Sequence, residues 1–170
     1  MLFNLIGFNI SWFGLVLLGE KFIPLALFWL GLHLYFCKKP SAEFKLILSI
    51  TIIGTLIDST LLLLDILVFA DKIIIPFWLI TLWAVFAATI AHSLKFLANS
   101  KILQFIIGFL FPPLSYIAGA SLSAVEFGYN LLITYFILAF IWGGLIMLFF
   151  SLKERFYSQE IQDTQGAANE

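Results

Sequence analysis

The placement of positively charged residues between long apolar runs constrains this chain more than any motif does. Six apolar stretches have membrane-spanning length, at residues 2–18, 22–37, 46–70, 73–94, 102–122 and 127–152. When the connecting segments are assigned alternately to two sides of a membrane, one side collects seven of the nine Lys and Arg residues: Lys38, Lys39, Lys45, Lys95, Lys101, Lys153 and Arg155. The other side receives Lys21 and Lys72. Because loops rich in Lys and Arg stay in the cytoplasm, the sequence predicts an all-α polytopic integral membrane protein with six transmembrane helices and both termini cytoplasmic.

The composition supports a bilayer as the solvent of this chain. It is 62% hydrophobic and 11% charged, whereas soluble domains are about half apolar and about a quarter charged. The net charge of −1 gives no indication of nucleic-acid binding, and Cys37 is the single cysteine, so no internal disulfide can form. Residues 1–152 are therefore predicted to form one transmembrane domain. The polar segment 153–170 has few apolar residues and is predicted to be a disordered cytoplasmic tail.

Three polar residues fall near the predicted membrane midplane, namely Asp58, Thr81 and Ser115. An ionised carboxylate at that depth is costly, and no Lys or Arg lies in the apolar stretches at the same depth to pair with it. Asp58 is therefore expected either to be protonated and hydrogen-bonded, or to face a wet cavity or a bound cation.

The fifth stretch contains Pro112 and Pro113, which remove backbone donors and favour a broken helix. Broken helices at membrane depth often line binding sites in transporters. The candidate midplane site consists of Asp58, Thr81, Ser115, Tyr116, Pro112 and Pro113. The alternative is that Asp58 hydrogen-bonds a neighbouring helix and fixes its packing, and this structural role is favoured.

A second polar layer lies nearer the cytoplasmic side and consists of Asn4, Asn9, His33, His92 and Ser93. The two histidines could relay protons or bind a metal together. They have no carboxylate three or four residues away, so interfacial histidines beside lipid headgroups are the favoured interpretation, and no metal or cofactor is predicted.

Small residues recur along one face of the first stretch. Gly7, Ser11 and Gly14 follow Asn4 at helical spacing and form a face suited to close packing against a neighbouring helix.

Signatures of catalysis are weak. Gly119-Ala120-Ser121 resembles part of an intramembrane serine-protease motif, but both histidines belong to the opposite side of the membrane. The only arginine, Arg155, lies in the tail, so no clamp for phosphate is present in the spans. No catalytic residue is predicted, and a non-enzymatic role is favoured.

Several short motifs resemble an uncharacterised bacterial inner-membrane family, domain of unknown function 2878. They are Pro76-Phe77-Trp78-Leu79, Leu82-Trp83-Ala84-Val85-Phe86-Ala87, His92-Ser93-Leu94-Lys95-Phe96-Leu97 and Pro113-Leu114-Ser115-Tyr116-Ile117-Ala118-Gly119, together with Asn4, Trp12, His33, Gly54 and Asp58. Pro112 and Phe96 depart from the family pattern, where Gly and Trp are expected. The resemblance implies that the protein lies in a bacterial inner membrane. The family has no established activity, substrate or cofactor. Members look like genomic neighbours of fatty-acid-modifying methyltransferases and flavin oxidoreductases, which points to lipid metabolism.

The favoured function is a non-enzymatic accessory or carrier protein in a lipid-related membrane process. Two alternatives stay open: a small proton- or cation-coupled transporter that uses Asp58, and a membrane-embedded enzyme that uses His33 or His92. The expected partners are the lipid bilayer and a bound lipid, or a membrane or peripheral protein, and no nucleic acid. The sequence leaves the oligomeric state open.

Overall fold

The computed structural model describes residues 2–70 and 74–167, most of which are helical. The six α-helices are α1 (Leu2–Leu18), α2 (Ile23–Phe36), α3 (Pro40–Leu63), α4 (Phe77–Ile90), α5 (Lys101–Ser121) and α6 (Leu131–Ala167). Two strands of two residues each, β1 (Leu67–Val68) and β2 (Glu126–Phe127), pair in antiparallel register. The predicted turn at Asp71 and Lys72 lies outside the described residues. The all-α class predicted from the sequence is confirmed.

Among the described residues, four helical segments are long and apolar enough to cross a membrane: Leu2–Phe36, Pro40–Leu63, Lys101–Ser121 and Leu131–Asp163. Large apolar side chains on their outer faces are exposed, among them Phe13, Phe28 and Phe140. Exposed apolar surface of this extent indicates a membrane protein. Helix α4 is apolar but has only 14 residues, a length of about 21 Å.

The segment Leu2–Phe36 is a helical hairpin. Gly19 has a φ of +56°, a left-handed conformation that ends α1. Gly7 lies against the ring of Trp29 and Gly14 against the ring of Phe22, so α2 runs back along α1. The small-residue face predicted on the first stretch is therefore the face that α1 buries.

The helices alternate in direction, so the connections gather at two ends. One end holds the α2–α3 and α4–α5 connections, which carry Lys38, Lys39 and Lys95, and we call it the lysine-rich end. The opposite end holds β1, β2 and the α1–α2 turn. Between the ends, α5 packs along α6, α3 packs on α4 and α6, and α1 packs on α4.

Helix α3 begins and ends earlier in the chain than the predicted stretch 46–70. Pro40 lies in its first turn, where the missing N–H costs nothing, and Glu43 is its acidic first-turn residue. As a consequence, Asp58 lies five residues before the last residue of α3, Leu63. It is therefore nearer to the end of its helix than the predicted midplane position would place it.

Two further features differ from the sequence-based predictions. Helix α5 continues through Pro112 and Pro113 without a break. Helix α6 continues to Ala167, so the segment predicted to be a disordered tail is helical as far as it is described. The backbone N–H of Ala42 donates to Glu160 Oε2 at 2.6 Å, and this contact ties the end of α6 to the start of α3.

Candidate functional site

Asp58 connects three helices. Its side chain is fully buried, and each carboxylate oxygen accepts one hydrogen bond. The indole N–H of Trp83 on α4 donates to Oδ2 at 2.6 Å, and the hydroxyl of Tyr116 on α5 donates to Oδ1 at 2.8 Å. Both oxygens are thus engaged by neighbouring helices, the arrangement expected of a carboxyl group that fixes helix packing.

The other residues of the predicted midplane site do not gather around this carboxylate. The Thr81 hydroxyl donates to the Phe77 carbonyl of its own helix. Ser115 is exposed, and together with Pro112 it lines a cavity that does not reach Asp58. Pro113 is buried. The structure therefore brings Tyr116 to Asp58, and Trp83, which was absent from the predicted site, completes the group.

Trp83 is held from three directions. Its ring stacks on that of Trp142, with centroids 4.7 Å apart and planes 6° apart. On its other side it fills the space left by Gly54, where a Cβ atom would lie 2.0 Å from Trp83 Cδ2. The hydrogen bond to Asp58 fixes the ring edge. These contacts make Trp83 the centre of the packing between α3, α4 and α6.

A half-open cavity of about 330 Å³ lies beside this aromatic group. Its wall is formed by α1, α4, α5 and α6, and the apolar part includes Phe8, Trp12, Leu82, Phe86, Phe111 and Ile146. Ligand pockets in proteins have volumes of about 300–1,000 Å³, so the cavity can hold a small molecule or part of a lipid chain. Trp83 and Tyr116 belong to the wall, whereas Asp58 lies behind them.

Several polar side chains in the cavity wall donate hydrogen bonds within the protein. Asn9 donates to the Leu5 carbonyl, Thr89 to the Phe86 carbonyl and Ser93 to Asn4 Oδ1. Tyr116 donates to Asp58. The wall therefore offers mainly apolar contact to an occupant.

The predicted polar layer divides into two groups. Asn4 bridges α1 and the end of α4, because its Nδ2 donates to the Ala88 carbonyl at 2.9 Å and its Oδ1 accepts from Ser93 at 2.7 Å. Asn9 is exposed and bonds its own helix. The histidines form the second group and do not share hydrogen bonds with the asparagines within the described residues.

His33 and His92 meet around the carboxylate of Glu43. His33 Nε2 lies 2.8 Å from Glu43 Oε1 and His92 Nε2 lies 3.3 Å from the same oxygen. The ligand atoms of the three residues all lie within 4.8 Å of one another, close enough to hold one metal ion. Glu43 and His33 are buried and His92 is partly exposed, so the structure places His33 inside the bundle rather than on a lipid-facing surface.

Two residues of this group were not predicted as site residues, Glu43 and Tyr157. The Tyr157 hydroxyl donates a short hydrogen bond to Glu43 Oε2. Glu43 could have been found from Pro40, because proline followed by an acidic residue in the first turn is typical of a helix start. That start places Glu43 on a helix facing the end of α2. Tyr157 gives no such signal, because it lies in the polar segment that was predicted to be disordered.

Comparison with known proteins identifies a family for this chain. No curated protein and no solved structure matches the chain. The family described as protein of unknown function (DUF2878) matches residues 1–148, which cover α1 to α5 and the first half of α6. This match agrees with the resemblance seen in the motifs. The chain therefore belongs to this family.

Proposed function

We propose that this protein is a six-span inner-membrane protein that holds an acyl chain of a membrane lipid in the cavity between α1 and α5, as a non-enzymatic accessory or carrier protein in a lipid-related process. The observation that carries the proposal is the mainly apolar cavity, in whose wall Asn9, Thr89 and Ser93 already donate hydrogen bonds within the protein. A sugar or a charged metabolite would find few hydrogen-bond partners there, and burying its polar groups unpaired would be costly.

The position of the cavity supports the acyl chain as occupant. The cavity wall extends along α1 from Leu5 to Val16, a distance of about 16 Å at 1.5 Å per residue. This is about half the thickness of a hydrocarbon core. Helix α1 packs mainly on α4, and α5 packs mainly on α6. In this proposal, a lipid chain enters the half-open cavity from the bilayer between α1 and α5.

The transporter alternative, with Asp58 as the coupling carboxylate, has less support. A coupling carboxylate must exchange its proton or cation with a wet pathway. Asp58 is fully buried, both its oxygens accept hydrogen bonds from Trp83 and Tyr116, and it does not line the cavity.

Ser115→Trp is expected to reduce lipid retention strongly. Ser115 lies in the cavity wall and is exposed, so an indole at this position occupies the space that an acyl chain would fill. The measurement is native mass spectrometry of the full-length protein released from nanodiscs of one defined phospholipid, with the fraction of protein carrying lipid as the readout.

Ser121→Trp is the matched control, because Ser121 is exposed on the same helix and does not line the cavity. The wild type and Ser121→Trp are expected to retain one lipid to the same extent. Equal retention by Ser115→Trp and Ser121→Trp, or no retained lipid in any of the three proteins, would contradict the proposal.

The six-span topology is tested by cysteine labelling from the outside of intact spheroplasts. Burial raises the pKa of the Cys37 thiol, which makes it a poor probe, so single cysteines are introduced into a Cys37→Ser background. Lys21→Cys and Tyr129→Cys report the opposite end, and Lys38→Cys and Asn99→Cys report the lysine-rich end. A membrane-impermeant maleimide is expected to label positions 21 and 129 and to leave 38 and 99 unlabelled until the membrane is permeabilised. Labelling of 38 or 99 in intact spheroplasts would refute the predicted orientation.

A further inference from the structure

We propose that His33, Glu43 and His92 form a binding site for a divalent transition-metal ion, with Zn²⁺ as the best-fitting ion, at the lysine-rich end of the bundle. The site is separate from the apolar cavity, since none of the three residues lines it. The proposal therefore does not depend on lipid binding.

The donor set and spacing match a three-ligand zinc site. Two imidazole nitrogens and one carboxylate oxygen are the donors of several zinc enzymes, which leave a fourth position open. At metal–ligand distances of about 2.0–2.1 Å, the ligand atoms of a tetrahedral site lie about 3.3 Å apart. The two nitrogens lie 2.8 and 3.3 Å from Glu43 Oε1, and the three ligand atoms stay within 4.8 Å of one another. An ion between them would need the His33–Glu43 pair to separate by about 0.5 Å and the two imidazole nitrogens to lie about 3.3 Å apart.

The contacts around the three residues orient them as ligands. Tyr157 donates to Glu43 Oε2, so Oε1 is the oxygen that faces the two imidazoles. Trp29 stacks on the ring of His33 with centroids 5.6 Å apart, and Trp29 itself rests on Gly7, which leaves room for its ring. Partners that fix the orientation of the ligands are typical of metal sites.

The hydrogen bonding of His92 is incomplete. Its buried Nε2 lies 3.3 Å from Glu43 Oε1, but this contact does not have hydrogen-bond geometry within the described part of the chain. A buried polar atom without a well-formed hydrogen bond is uncommon in native proteins, and a bound ion is one explanation for it. The Nε2 atoms of His33 and His92 both lie near Glu43 Oε1. A metal ion between the three atoms would be coordinated by all of them. Because the His92 side chain is 30% exposed, the fourth coordination position would face the aqueous side.

The test is a titration of the full-length protein, purified with a tag that lacks histidine, first with Zn²⁺ alone and then with Co²⁺ alone. The wild type is expected to bind one Zn²⁺ per chain, and its Co²⁺ form is expected to show the intense visible absorption of a tetrahedral complex. His33→Gln and His92→Gln, which retain hydrogen-bonding capacity, are each expected to weaken Zn²⁺ binding by at least 100-fold. Tyr157→Phe is expected to weaken it by about 10–100-fold, as removal of a partner of a ligand usually does.

Glu160→Gln is the matched control. Glu160 lies at the same end and contacts Ala42, next to the proposed ligand Glu43, so this variant is expected to bind Zn²⁺ as the wild type does. Equal Zn²⁺ uptake by the wild type and by the His33→Gln, His92→Gln double variant would overturn the proposal. A wild-type Co²⁺ spectrum identical to that of the hydrated ion would also overturn it, and this result requires no variant to fold.

Discussion

Asp58→Leu is expected to lower the free energy of unfolding by about 2–4 kcal/mol, because two donors lose their common acceptor. Trp83 and Tyr116 both donate to the Asp58 carboxylate, and a buried donor left without a partner costs about 1–3 kcal/mol. Leucine fills a similar volume but accepts no hydrogen bond. Thermal unfolding of the purified protein in detergent, followed by size-exclusion chromatography of the remaining folded fraction, measures the effect.

Asp58→Asn is the matched variant and is expected to cost about half as much as Asp58→Leu. Its amide oxygen can still accept from Trp83, whereas its NH₂ group can only donate to the Tyr116 hydroxyl oxygen, so one donor rather than two loses its acceptor. Equal melting temperatures for the two variants would refute the structural role of Asp58. The same Asn variant tests the transporter alternative, which expects loss of pH-dependent flux in reconstituted vesicles with the fold intact.

The existence of the helices follows from the sequence, whereas their exact bounds depend on packing. Apolar runs of membrane length and the Gly7 to Gly14 face are local patterns, and the structure contains both features. The start of α3 was missed because the charges at Lys38, Lys39 and Glu43 are typical of a loop. In the structure Glu43 is buried by contacts with His33, His92 and Tyr157, which lie elsewhere in the chain.

The side-chain partners in the candidate sites also depend on packing between distant parts of the chain, which the sequence alone does not specify. Of the residues grouped with Asp58 by their depth in the predicted membrane, Tyr116 contacts it, whereas Thr81 and Ser115 do not. The sequence did not identify Trp83 as the second partner, since any buried indole N–H needs an acceptor and five tryptophans are present. The polar segment after residue 152 appeared too poor in apolar residues to fold alone. It is helical because it extends α6 and contacts α3 through Tyr157 and Glu160.

Gly54→Ala is expected to destabilise the protein by about 1–3 kcal/mol, although alanine favours helices over glycine by about 1 kcal/mol. The new methyl group would lie 2.0 Å from Trp83 Cδ2, and Trp83 cannot withdraw without leaving Asp58 and the ring of Trp142. Gly144→Ala is the control, since no atom lies within 4 Å of its added Cβ, and it is expected to be neutral or stabilising. Because Gly54→Ala and Asp58→Leu both disrupt the Trp83–Asp58 bond, their combined cost should be smaller than the sum of the single costs. Additive costs in thermal unfolding would show that Trp83 does not couple the two positions.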